Sequence, residues 1–380
     1  MKMNLNSTRR TSVTFDGYYG MRNAGDDAFC VVAARHARDT WGCQEVSFIA
    51  RPSHLPALPA KVRALLPDEP RIRGHTRMAP LGPMVRHRTV VHVGGSTFMA
   101  PLTRHRDQAR LSRLGCLDLH AVGVSVGPFP SDCDAAGIRQ ILTQFRSVSV
   151  RDSLSLQRVR DLLPEKQVRL GFDVAVLLDP TRPPRRQEDA ATRAEPLIGV
   201  TVCAHEGERG GDVQTERRRF EQTLRTVEEV ARATGSRVRI FVFNDHPRWG
   251  DHLLSAEMAA RLSMPTEVVV RERDTGRLLA AVAQCDAMVA TRLHSSVFAY
   301  ATGVPFIAVA YQEKGVEVTD EMGVPRDLVF GADGPDPGNA VPRLLELLDQ
   351  GPAKTLLPLE EARRRARGGF PAIVCGHPNP

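Results

Sequence analysis

The stretch Ala287-Met288-Val289-Ala290-Thr291-Arg292-Leu293-His294-Ser295-Ser296 is an apolar run that meets an arginine and a histidine two residues apart, followed by an alanine-rich segment. That order predicts a buried strand turning into a helix, the unit that builds a parallel α/β sheet. Free backbone N–H groups and the positive helix end face the crevice at such a turn, so anionic ligands bind there. Gly303-Val304-Pro305 ends the helix, a second apolar run follows at 306–310, and Tyr311-Gln312-Glu313-Lys314 comes directly after it. Lysine is rare here, five residues among 51 Lys and Arg. Lys314 therefore stands out as a compact point charge in a chain that prefers the planar arginine fork. Taken alone it reads as a solvated loop residue; beside Arg292 and His294 it reads as part of an anion site.

Outward from this unit the same pattern repeats. In the first half, strands are expected at 13–15, 45–49, 89–93, 120–126, 147–150 and 168–172, with helices at 26–40 and 154–163. In the second half, strands are expected at 197–202, 237–243, 267–270, 287–290 and 306–310, with helices at 216–234, 277–285 and 295–302. Strands alternating with helices of this length imply parallel sheets covered on both faces. A stretch rich in Pro, Arg, Glu and Asp at 179–196 separates the halves. The expected organisation is a Rossmann-like domain over 11–180, a linker over 181–196, a second Rossmann-like domain over 197–350, and a C-terminal helix and tail over 351–380. Two doubly wound domains facing across a cleft form a glycosyltransferase-B-like architecture, which binds ligands between the domains at the strands' carboxyl ends.

Composition narrows the function. The chain has 380 residues, 42% hydrophobic, with a net charge of +7, which suits an anionic substrate or an anionic membrane surface. No basic run interleaved with aromatics is present and aromatics are 5%, so nucleic acid is not the expected partner. Seven scattered cysteines without a Cys-x-x-Cys pair fit neither a disulfide framework nor a zinc site and suit the cytoplasm. The polar residues 1–10 carry no signal-peptide core, and no apolar stretch is long enough to span a bilayer. No metal site is expected, and His92 and His120 read as isolated core or surface histidines.

The first half offers its own candidates. Asn23-Ala24-Gly25-Asp26-Asp27 follows the first strand. It serves as turn-and-cap chemistry, or places Asn23 and Asp26 at the cleft to bind sugar hydroxyls. Gly94-Gly95-Ser96 ends a strand, where glycine allows close approach of a ligand or of another backbone. Arg151, in Val150-Arg151-Asp152-Ser153, sits at a strand exit on the edge that faces the cleft; Asp152 is its partner or the cap of the next helix.

Taken together and in order, Asn23-Ala24-Gly25-Asp26, Val93-Gly94-Gly95, residues 123–128, Val150-Arg151-Asp152-Ser153, Arg292-Leu293-His294, Gly303-Val304-Pro305 and Tyr311 with Lys314 resemble the polysaccharide pyruvyl transferase family over residues 13–323. The resemblance implies transfer of the enolpyruvyl unit of phosphoenolpyruvate to two sugar hydroxyls, giving a pyruvate ketal and phosphate. It implies that Arg151, Arg292, His294 and Lys314 bind the donor, with His294 and Arg292 catalytic. Asn23, Asp26, Gly94 and Gly95 then fall on the acceptor side. Gly25-Asp26-Asp27 and Gly94-Gly95-Ser96 depart from the family's usual Gly-Asp-Glu and Gly-Gly-Gly. The chemistry of the residues agrees: a small trianionic donor calls for several cations, and ketal formation calls for a group titrating near neutrality. His294 is expected to be the general acid or a phosphate ligand. Phosphoenolpyruvate acts as co-substrate with no further cofactor, and the acceptor is a sugar whose carriers include lipid-linked glycans, with peripheral association at the inner membrane surface. A nucleotide-sugar glycosyltransferase on the same architecture is expected to carry a glutamate after Ser295-Ser296, and the run 297–302 has no acid. A non-catalytic binding protein of this fold would not need Arg292, His294 and Lys314 together.

Overall fold

The computed structural model describes residues 11–58, 61–181, 195–204, 212–331 and 339–373. The first sheet comprises β1 (Ser12–Asp16), β2 (Glu45–Phe48), β3 (Val62–Ala64), β4 (Thr89–Val93), β5 (Asp118–Val124), β6 (Phe145–Val150) and β7 (Val168–Leu170) in the order β3-β2-β1-β4-β5-β6-β7. The second comprises β8 (Leu197–Thr201), β9 (Arg237–Val242), β10 (Thr266–Val270), β11 (Ala287–Ala290), β12 (Phe306–Ala310) and β13 (Val329–Gly331) in the order β10-β9-β8-β11-β12-β13. Every pairing is parallel. The architecture is glycosyltransferase-B-like, two Rossmann-like domains face to face. Strand order reverses between β1 and β4 and between β8 and β11, and the crevices at these switch points are where such sheets receive ligands.

The strands form because they are continuous apolar runs fit to be buried on both faces; all of β11 and β12 is buried. The helices are punctuated locally. Asp152 accepts from the Ser155 N–H at the start of the helix Ser153–Leu162, and Asp212 from the Gln214 N–H at the start of Val213–Thr234, which Gly235 ends in the left-handed region at φ 65°.

Two apolar cores result. One lies on the face of the first sheet opposite the helix Ala24–Asp39 and includes Met84, Val90, Ala109, Leu117 and Phe145. The other runs without a break from Phe15 and Phe29 through Phe172 and Val174 into Phe298 and Tyr300 of the second domain. Phe172 and Tyr300 are 6.0 Å apart across the domain boundary. The contact between domains is thus an apolar seam as well as a cleft.

Several expectations change here. β3 and β13 are three-residue strands that were not anticipated, because each offers too few residues to show a period. The stretch expected to be a separate tail does not stand apart: the helix Leu359–Gly369 packs against β5, β6, β7 and the turn Val174–Leu177 of the first domain. Phe370 stacks on His36 at 3.9 Å, and the Trp41 Nε1–H donates to the Pro371 carbonyl at 3.1 Å. Most of the expected linker, like residues 1–10 and Cys375, lies outside the described residues. Among the described residues, no two cysteines are joined by a disulfide. Among the described residues, no helix is long and apolar enough to cross a membrane.

Candidate functional site

Thr201, at the carboxyl end of β8, organises the second domain's switch point. Its hydroxyl accepts from the N–H groups of Thr291 and Arg292 at 2.9 and 3.3 Å and pairs with the Ser295 hydroxyl at 2.9 Å. The helix Leu293–Thr302 therefore starts at a defined angle, without a side-chain cap of its own. The helix Glu313–Glu321 also starts uncapped. Between these two N-termini lies a recess lined by Thr291, Leu293, Ser296, Tyr311, Lys314 and Gly315, with Ala308, Val309, Ala310 and Val318 as its apolar wall. The Thr291 hydroxyl on its wall is buried and without a hydrogen-bond partner. Two free helix N-termini, a lysine and an unsatisfied hydroxyl make the recess attractive to an anion.

His294 projects from the first turn of Leu293–Thr302 toward the first domain. Its side chain is 14% exposed, and its Nε2 lies 3.8 Å from the Asp173 carboxylate with no hydrogen-bond partner. The Phe29 ring meets it edge-on at 5.1 Å. Gly25 faces it so closely that a Cβ there would fall 1.9 Å from its Nδ1. Burial lowers the His294 pKa to about 4; Asp173 opposes the shift, while Arg151, Lys314 and Arg292 reinforce it.

Arg151 comes from the other side, at the exit of β6. It is buried, with Nη1 donating to Asp173 at 2.9 Å and Nε to the Ser125 hydroxyl at 2.7 Å. Asp173, a residue not singled out from sequence, thus connects Arg151 and His294 across the domain boundary. The sequence signal was there: Gly171-Phe172-Asp173 closes a strand as Val150-Arg151 does, but it abuts the compositional break at 179 and reads as part of the exit loop.

Asp26 departs from its expected place. Instead of standing apart on an acceptor side, it lies within electrostatic reach of Lys314, Arg151 and Asp173. Burial raises its pKa to about 8, Asp27 adds to the shift, and Lys314 and Arg151 oppose it. Neighbouring Asp27 faces away and pairs with Arg271 of the second domain.

The remaining expected residues have more structural positions. Asn23 caps the helix Ala24–Asp39, its Oδ1 accepting from the Gly25 N–H at 3.0 Å, and its backbone bridges to Asn244 of the second domain. Gly94, at φ 68°, leaves room for Phe29, whose ring would lie 2.5 Å from any Cβ there. It acts on His294 through Phe29, not as an expected acceptor contact. Gly95, at φ 74°, receives the Ser125 N–H on its carbonyl at 3.0 Å. Arg292 differs most. Its Nε and Nη2 donate to the buried Asp251, with Nε 3.0 Å from Oδ1, so that edge of its fork is held within the second domain. Asp251 too was missed from sequence, 41 positions from its partner.

His92 is not isolated. It lies with Asp16 and His105 in a buried group whose candidate ligand atoms are within 4.8 Å of one another. Part of that group is internally bonded, whereas neither ring nitrogen of His105 has a hydrogen-bond partner. Arg104 stands 3.0 Å from the Asp16 carboxylate, and Gln108 joins Asp16 at 2.7 Å to His92 at 2.9 Å.

The two-domain scaffold is glycosyltransferase-B-like, and it brings Arg151, Asp173, His294, Lys314 and Asp26 together at the domain boundary. The polysaccharide pyruvyl transferase profile matches residues 23–313, and the chain belongs to that family, a family of transferases. Among solved structures, the UDP-GlcNAc 2-epimerase of Neisseria meningitidis, bound to UDP-GlcNAc, superposes with a TM-score of 0.60 at 8% identity, over 94% of this chain and 97% of that one. The UDP-GlcNAc 2-epimerase of Methanocaldococcus jannaschii gives 0.57 at 11% identity, over 94% and 98%. The spinosyn forosaminyltransferase SpnP gives 0.50 at 12% identity, over 95% and 96%. At these identities the likeness concerns the fold alone. No curated protein sequence matches the chain.

Proposed function

We propose that the protein transfers the enolpyruvyl unit of phosphoenolpyruvate onto two hydroxyls of a sugar acceptor, forming a cyclic pyruvate ketal and releasing phosphate. The observation that supports this most is the meeting of Arg151 from one domain with His294 and Lys314 from the other, around Asp26 and Asp173. Family membership supports the same reading.

The proton inventory of the reaction is simple. The methylene carbon of the donor gains one proton, the two acceptor hydroxyls lose two, and the balance leaves with phosphate. One group must give a proton while another takes one. Two titratable groups whose surroundings push them in opposite directions meet that need. In the free cleft at neutral pH, His294 is neutral and able to accept from a hydroxyl, and Asp26 is protonated and able to donate. We thus assign proton delivery to Asp26 and proton removal to His294, where the expected role of His294 was general acid or phosphate ligand. Lys314 and the two helix N-termini offset the charge of the donor and of the leaving phosphate. Arg151 adds its charge from the opposite wall, held in place by Asp173. Arg292 positions His294 through the helix start and touches no substrate.

The reaction draws on acid–base chemistry alone, with phosphoenolpyruvate as co-substrate. It fits a cytoplasmic chain whose partners are that donor and a sugar, free or carried on a lipid, and not a nucleic acid. Phosphate release from phosphoenolpyruvate, measured against a panel of lipid-linked, nucleotide-linked and free sugars, tests the reading. Release that depends on one acceptor class supports it; transfer from a UDP-sugar with no use of phosphoenolpyruvate would replace it with a glycosyltransferase.

A further inference from the structure

The charge of this molecule is concentrated in one place. From Lys61 to Gly115 the sequence holds eleven Lys and Arg against three Asp and Glu, a net of +8, whereas the whole chain carries +7. The other residues together therefore carry a net charge of −1. The segment is described throughout and folds as the helices His75–Met78, Leu81–His87 and Thr103–Arg113 with their connections. These cover the core on the face of the first sheet opposite the helix Ala24–Asp39.

The same surface exposes apolar side chains. Ile72 is 67% exposed, Met78 63% and Leu114 75%. Two contacts make it one patch. Arg77 pairs with Asp107 at 2.7 Å, which ties the Met78 turn to the helix that ends at Leu114. Arg88 donates to the Gly115 carbonyl at 3.2 Å, which sets its guanidinium next to Leu114. Arg71 and Arg73 flank Ile72 and are exposed. Protruding apolar side chains ringed by arginines are suited to a surface that is anionic at the headgroups and apolar just beneath. Nucleic acid would be expected to find stacking aromatics among the cations, and between Lys61 and Gly115 the one aromatic ring of Phe, Tyr or Trp type is Phe98, which is fully buried.

We infer that this face of the first domain docks the protein on an anionic lipid surface, with Ile72, Met78 and Leu114 entering the headgroup region and the arginines holding the lipid phosphates. Arg88 and Leu114 lie beside the amino ends of β4 and β5, the edge of the sheet opposite the cleft. The inference needs no assumption about which reaction the cleft performs.

Co-sedimentation of the full chain with vesicles tests it. One set is phosphatidylcholine alone, and the other contains about 30 mol% phosphatidylglycerol, both at about 0.15 M salt. The protein is expected on the anionic vesicles only, and to come off as salt is raised. Arg71→Glu/Arg73→Glu is expected to weaken partitioning roughly tenfold or more. Ile72→Asp/Met78→Asp is expected to do the same, with thermal unfolding unchanged because all four side chains are exposed. Equal partitioning onto both vesicle types, no binding to anionic vesicles, or wild-type binding by both variants would overturn the inference. So would salt-sensitive binding of duplex DNA together with indifference to vesicles, which would assign the patch to nucleic acid.

Discussion

His294 and Asp26 sit on opposite sides of the domain boundary and are shifted in opposite directions, to about 4 and about 8. If they are the base and the acid of the free enzyme, kcat/KM follows a bell whose limbs lie near those values. Asp26→Asn is expected to remove the alkaline limb and His294→Gln the acid limb, each with a large fall in kcat. A profile whose alkaline limb survives Asp26→Asn would transfer the donor role elsewhere. The same shifts act on stability. The folded state holds the Asp26 proton up to about pH 8, whereas an unfolded aspartate loses it near 4. This group therefore stabilises fully below about pH 4 and progressively less as pH rises through 8. For His294 the folded pKa is depressed, so its contribution is present above about pH 6.5 and lost as pH falls through 4. Thermal unfolding of Asp26→Asn at pH 8 is accordingly expected at a higher temperature than that of the wild type. Gly25 makes a sharper test. A Cβ there would lie 1.9 Å from the imidazole, so Gly25→Ala is expected to displace His294 and cut kcat at least tenfold, with circular dichroism unchanged.

At the scale of elements, the helix Leu293–Thr302 depends on how its N-terminal end is held. Thr201 fixes its first turn, and Arg292 is locked to the fully buried Asp251. Removing one partner of such a pair strands a charge in the interior, which costs roughly 3–5 kcal/mol. Asp251→Ala is thus expected to lower the unfolding free energy by that amount and to reduce activity indirectly. The strand-to-helix unit around Arg292 and His294 was legible from sequence because its apolar run and alanine-rich helix are long enough to show their periods. β3 and β13, at three residues each, were not. The same difference of range separates the site residues. Arg151, His294 and Lys314 announce themselves as cations at strand ends. Asp173 and Asp251 become significant only through partners far along the chain, and local spacing does not encode those contacts. Asp26 and Gly94 were picked out, but a sequence does not say whether such a residue faces a ligand or, as Gly94 does, a neighbouring ring.

Across the whole molecule the two domains are joined by more than the linker. Arg22 pairs with Asp245 at 2.9 Å, Arg158 with Glu317 at 3.1 Å, and the Ala24 N–H donates to the Phe243 carbonyl at 2.9 Å. A donor that binds between walls so joined acts on the fold as a unit. Phosphoenolpyruvate at one hundred times its Kd is expected to stabilise the protein by about 2.7 kcal/mol, read as a rise in the unfolding temperature. UDP-sugars without phosphoenolpyruvate are expected to do less, and the opposite ranking would favour a nucleotide-sugar donor.

The return of the helix Leu359–Gly369 to the first domain bears on the order in which the chain can be completed during synthesis. The first sheet leaves the ribosome early, yet the surface formed by His36 and Trp41 waits for Phe370 and Pro371, which lie far later in the chain. The first domain cannot reach its final form until the segment carrying Phe370 and Pro371 has left the ribosome. Until then it shows nascent-chain binding factors an apolar surface that the finished protein hides. A chain stopped after Pro358 should keep both sheets by circular dichroism, bind a hydrophobic dye, and remain associated with chaperones after the full-length protein has been released.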